Sequence, residues 1–60
     1  LEPCHVHVRK SSSIAKFWVI PSVRLANSYG FNSVELNDLE KIVNKNRDLI
    51  EAKWNEFFNI

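Results

Sequence analysis

From Cys4 to Arg9 the chain alternates without a fault: Cys4, Val6 and Val8 are apolar, His5, His7 and Arg9 polar. A period of two marks a strand with one face buried and one face wet. Residues 14–20 (IAKFWVI) follow, rich in β-branched and aromatic side chains, and read as a second strand. If the two pair as a hairpin, Val8 faces Ala15, Val6 faces Phe17 and Cys4 faces Val19, which gives one wholly apolar face. The opposite face then carries Arg9 with Ile14, His7 with Lys16 and His5 with Trp18. A one-residue slip mixes the two faces, so the pattern itself selects this register. The connection is Ser11-Ser12 alone or the four residues Lys10 to Ser13. Serine does not readily take positive φ, so a looser loop is expected.

Pro21-Ser22 breaks the second strand, since proline cannot donate to a ladder and suits a turn. Residues 23–28 (VRLANS) read as a third strand, with a short helix as the alternative. Gly30 is the only glycine, and a backbone shape closed to other residues is expected there. Asn32 is followed three residues later by Glu35, the spacing of a capping box at a helix start. Leu36, Leu39, Ile42, Val43, Leu49, Ile50, Trp54, Phe57 and Phe58 then recur at helical spacing, with no glycine or proline between. One long helix over about 33–58 is expected, with a bend or interruption near Asn44 to Asn46. Its apolar stripe should bury against the apolar hairpin face of Val6, Val8, Phe17 and Val19. The fold class is therefore α+β: a small antiparallel β-meander of two or three strands (about 4–9, 14–20 and 23–28) under one C-terminal helix.

Sixty residues bound this to one small domain of modest stability. Hydrophobic content of 45% with 25% charged residues is the balance of a folded domain, not of a disordered tail. The longest apolar run is Phe17 to Ile20, far short of the roughly 20 residues that span a membrane. No signal peptide is visible, and with a single cysteine, Cys4, no intrachain disulfide forms. A reducing, cytoplasmic setting follows as the expectation. Net charge is +1, divided as +3 over residues 1–30 and −2 over residues 31–60. The basic half weakly favours an anionic partner, well below a strong nucleic-acid signature. The chain starts at Leu1 inside a strand motif, which suggests a fragment or a truncated product.

The order of motifs is then explicit: EPCHVHV, AKFW, Gly30-Phe31-Asn32, Asn46-Arg47, and Trp54-Asn55 with Phe57 or Phe58. Taken together they resemble a family of small prokaryotic proteins, the domain of unknown function 4160, over nearly the whole chain. Cys4 stands where that family has a second proline, and the serines stand where its loop usually holds glycine. The family also has an N-terminal segment, a strand or hairpin, ahead of this point. Without it a sheet edge is left open, and an open edge invites dimerisation or a protein partner. The resemblance implies a small binding or interaction module and, from the company such genes keep, one component of a toxin–antitoxin-like pair. It implies no reaction, so whether the chain is an enzyme stays open, leaning to no.

Candidate chemistry centres on His5 and His7, about 6.6 Å apart along one strand face at a rise of 3.3 Å per residue. Two histidines at that spacing can share a metal, but with no further histidine and only Glu2 nearby the ligands do not suffice, so no metal or other cofactor is expected. Alternatively the pair serves as acid and base in a metal-independent ribonuclease, with Lys16 and Arg9 stabilising charge and Trp18 stacking on a base. The leading functional reading makes His5, His7, Arg9, Lys16 and Trp18 one binding surface, for a protein partner or for nucleic acid. The plain structural reading has the histidines capping a partly wet sheet face. Trp54, Asn55, Phe57 and Phe58 are expected to be core, or else an interface patch. Asn46 is expected on or near the buried stripe, its amide bonded to backbone or a neighbour. Cys4 faces the apolar side and is expected to be inert.

Overall fold

The computed structural model describes residues 2–58. Three strands, β1 (His5–Lys10), β2 (Ser13–Trp18) and β3 (Arg24–Tyr29), form one antiparallel sheet in sequence order. Two helices follow, α1 (Ser33–Lys45) and α2 (Arg47–Phe58). The strand ends lie within two residues of the expected ones, and residues 24–29 are strand rather than helix.

The β1–β2 register is the one the alternation selects: His5 opposite Trp18, Val6 opposite Phe17, His7 opposite Lys16, Val8 opposite Ala15 and Arg9 opposite Ile14. The Val19 amide extends the pairing by donating to the Cys4 carbonyl at 2.9 Å. The connection corrects the sequence expectation. Lys10 pairs directly with Ser13, so the turn is Ser11-Ser12 alone, and Ser11 takes a φ of 55°. Ser11 is the only non-glycine residue with positive φ among the described residues. The hairpin's twist demands such a residue, and the serine accepts a conformation it does not favour.

Between β2 and β3 the register shifts. Lys16 pairs with Asn27 but Phe17 pairs with Leu25, leaving Ala26 as the extra residue of a bulge. Gly30 ends β3 at a φ of 89°, where a Cβ would lie 2.5 Å from the Ser13 hydroxyl oxygen. Both facts restrict that position to glycine. Asn32 caps α1: its side chain accepts from the Glu35 amide at 2.8 Å, and the Glu35 carboxylate accepts from the Asn32 amide at 3.0 Å.

The single long helix is replaced by two. A straight helix over 33–58 would run roughly 39 Å at 1.5 Å per residue, longer than the molecule's greatest extent of 34 Å. α1, at 13 residues, spans roughly 20 Å, which matches a six-residue strand. The chain turns at Asn46, whose φ and ψ of −105° and 13° lie outside the helical well. Its amide NH2 donates to the Ile42 carbonyl at 2.8 Å, competing with the helix ladder. Asn46 is exposed, not on the buried stripe, although its amide bonds to backbone as expected. Arg47 then ties the start of α2 to the β2–β3 turn, donating to the Pro21 carbonyl at 2.9 Å while pairing with Glu51 at 3.0 Å.

Cys4, Ala15, Phe17, Val19 and Val43 form the buried core, with Phe17 and Val19 fully enclosed. Val6, Val8, Leu36, Leu39, Ile50 and Trp54 pack around it, half-buried. Only part of the expected stripe is covered. Ile42 of α1 and Leu49 and Phe57 of α2 remain 57%, 58% and 82% exposed. α2 has no fully buried residue.

Candidate functional site

The helices pack mainly against the apolar face of the sheet, and among the described residues only the His5 corner of the polar face meets α2, through Trp54. Register and bulge together arrange the polar face in three ranks: His5–Trp18–Arg24, His7–Lys16–Asn27 and Arg9–Ile14–Tyr29. All five residues that the sequence assigns to a binding surface, His5, His7, Arg9, Lys16 and Trp18, fall on this face. Arg24, Asn27 and Tyr29 join them, and sequence reasoning missed all three. A strict alternation groups Arg24 with Ala26 and Ser28. The bulge at Ala26 flips the register, so that Arg24 shares a face with Asn27 and Tyr29 instead. The β2–β3 pairing was the only signal that could have found them.

Lys16 holds the centre. Its ammonium donates to Glu2 Oε1 at 2.6 Å and lies 4.5 Å from the centroid of the Trp18 ring. The ion pair holds the Glu2 carboxyl below its ordinary range, chiefly through the Lys16 hydrogen bond and charge. The Arg24 guanidinium lies 6.0 Å from the same indole and donates to the Ile20 and Ser22 carbonyls at 3.3 and 3.1 Å. Trp18 is thus flanked by two cations. Arg9 is exposed and pairs with no acid among the described residues. Tyr29 stands 72% exposed at the end of its rank.

The two histidines touch, ring centroids 5.3 Å apart and tilted 36°, yet they open onto different hollows. His7 lines a shallow cleft of about 210 Å³ with Arg9, Ile14, Lys16 and Asn27, on the polar face. His5 is held by the Pro3 carbonyl at 2.9 Å from Nδ1, and its ring meets both Trp18 and Trp54 edge to face at 5.8 and 4.8 Å. It lines a larger open groove of about 940 Å³, bounded by Val6 of the sheet edge and by Leu49, Ile50, Trp54 and Phe57 of α2. Trp54 packs on the core as expected, while Phe57 and Phe58 beside it form an exposed apolar patch.

The cleft concentrates hydrogen-bond donors, the Arg9 guanidinium and the Asn27 amide, around the Lys16 charge. That donor set suits a phosphate or carboxylate oxygen. Among the described residues no three His, Cys, Asp or Glu side chains gather as a metal site. The Cys4 thiol lies in the core, away from both hollows, where burial and the Glu51 charge raise its pKa.

The class defined by these features is a small α+β domain: a three-stranded antiparallel sheet, helices on one face, a cationic aromatic surface on the other. The chain belongs to the family described as Domain of unknown function (DUF4160), whose model matches residues 1–55. No curated protein and no solved structure matches it. Among the described residues no helix is long and apolar enough to cross a membrane.

Proposed function

We propose that this chain is a small binding module whose working surface is the polar sheet face, and that its ligand is single-stranded RNA. The observation that supports this best is the central cleft of His7, Arg9, Lys16 and Asn27, with Trp18 and Tyr29 to either side. Cations over a backbone track with aromatic rings beside it are the parts of a sequence-tolerant single-strand site. Glu2, bridged to Lys16, acts as a competing anion that a phosphate displaces.

The reading extends to one component of a toxin–antitoxin-like pair in the cytoplasm of a prokaryote, on the strength of the family membership. An acidic partner chain would then compete with RNA for the same cations. The alternative, a metal-independent ribonuclease with His5 and His7 as acid and base, is less well supported. The rings lie against each other, and His5 opens onto the α2 groove rather than the cleft.

Fluorescence anisotropy with short unstructured RNA tests the module. Binding should weaken with salt, and Arg9→Ala or Lys16→Ala should each lower the salt slope by about 1. A folded sample that leaves the RNA free at low salt sinks the proposal. Intact RNA after prolonged incubation, with and without chelator, disposes of the nuclease. Cleavage lost in both His5→Ala and His7→Ala establishes it instead.

A further inference from the structure

The bulge that brings Arg24 to the polar face also fixes where its charge falls. Arg24 closes the first rank on β3, Lys16 centres the second on β2, and Arg9 opens the third on β1. The three cations therefore lie on one diagonal of the sheet. Strands stand about 4.8 Å apart and alternate residues about 6.6 Å apart along a strand, so each diagonal step is about 8 Å. None of the nine positions in the three ranks is acidic. Among the described residues neither Arg9 nor Arg24 pairs with a carboxylate, and Lys16 pairs with Glu2 alone.

Arg24 is also positioned before any ligand arrives. Its Nη1 donates to both the Ile20 and the Ser22 carbonyl. A guanidinium carries five donors, and these two bonds use one nitrogen.

The two sides of the diagonal differ. His5, His7 and Trp18 fill one side. His5 packs on the other two rings at 5.3 and 5.8 Å between centroids, and Lys16 lies 4.5 Å from the indole centroid. These rings are a wall, already occupied by one another. Ile14, Asn27 and Tyr29 fill the other side, where all three are exposed and Tyr29 is 72% so.

We propose that the RNA backbone follows the Arg9–Lys16–Arg24 diagonal and turns its bases to the Tyr29 side. The inference rests on the reading of this face as an RNA site, and adds the path, the footprint and the base platform. Charge complementarity carries the path, with one phosphate for each cation. Long arginine and lysine stems let each head reach the phosphate nearest to it. Three phosphates correspond to a site of about four nucleotides, at the short end of single-strand sites. The open ring of Tyr29 takes a base without displacing anything, and stacking there is tolerant of sequence. The indole of Trp18 must first give up Lys16, the cation that the backbone needs.

Fluorescence anisotropy with dye-labelled oligouridines of about two to eight nucleotides tests the footprint: affinity should rise steeply up to about four and only slightly beyond. Arg24→Gln should lower the salt slope by about as much as Arg9→Ala, whereas Lys41→Ala, at an exposed cation of α1, should leave it unchanged. Tyr29→Ala should weaken binding about tenfold at an unchanged slope, and Tyr29→Phe should keep the parent affinity. The circular dichroism of each variant should match the parent. NMR gives a reading that needs no variant, because the chain has three arginines. The Nε–H resonances of Arg9 and Arg24 should move together as tetrauridine is added, and that of Arg47, held by Glu51, should not. RNA bound with the Arg24 resonance unmoved, or with Tyr29→Ala silent, overturns this path and leaves the RNA reading standing. A folded chain that binds no oligouridine at low salt overturns both.

Discussion

The imidazole of His5 meets the indole of Trp54 edge to face, centroids 4.8 Å apart. This contact fastens α2 to the first residue of β1, beside the open groove. It also separates two histidines that the strand alternation treats as equivalent. His5 is a clasp between layers, and His7 is a surface donor.

The two should therefore differ in stability effect. His5→Ala loses an aromatic pair of about 0.5–1.5 kcal/mol and the bond to the Pro3 carbonyl. His7→Ala, on the exposed face, should stay within about 0.5 kcal/mol of the parent. Urea midpoints compare them directly, and equal midpoints would remove the clasp.

Phe17 carries the core and Ile42 does not, although both are apolar positions of regular elements. Phe17→Ala should remove about 3–5 kcal/mol, as much as a core of this size supplies. Its circular dichroism should be that of an unfolded chain. Ile42→Ala, at a residue 57% exposed, should unfold within about 0.5 kcal/mol of the parent.

The hairpin turn can be improved. Ser11 holds a φ of 55°, which an L residue adopts at a penalty of about 1–2 kcal/mol. Ser11→Gly relieves it, less the extra freedom glycine gives the unfolded chain. The net gain should be roughly 0.5–1 kcal/mol, read as a higher melting temperature. Gly30→Ala should do the opposite, since φ and the Ser13 contact both oppose a Cβ.

Cys4 should be slow towards thiol reagents in the folded chain and fast once urea unfolds it. Burial raises its pKa above the unfolded value of 9.0. A raised pKa means the folded state holds the proton longer, so this contribution is complete below that unfolded value and is lost as pH rises through the folded one. Glu2 works in the opposite sense. Its lowered pKa gives a contribution present above the ordinary 4.5 and lost as acid protonates it, releasing Lys16. Titrating the thiol by absorbance, and Glu2 by NMR in the parent and in Lys16→Ala, checks both directions.

Much of the fold was legible because local rules speak loudly here. A fault-free alternation in β1 has one register that gathers Cys4, Val6, Val8, Ala15, Phe17 and Val19 on one apolar face, and that register is observed. Asn32 and Glu35 state the helix start, and the break near Asn46 follows from an amide that competes with the ladder. The apolar pattern of 33–58 was legible too, but its burial was not. Periodicity says which residues share a stripe, never how much sheet is available to cover it.

What the sequence determined by itself was the content of each element and the membership of the hairpin's two faces. Both follow from side-chain period and backbone sterics, which act over a few residues. Tertiary structure decided the rest. The bulge at Ala26 put Arg24, Asn27 and Tyr29 on the polar face, and the packing of α2 left Leu49 and Phe57 exposed. The His5–Trp54 contact split a histidine pair between two hollows. Each of these depends on where distant segments meet, and packing, not periodicity, sets that meeting.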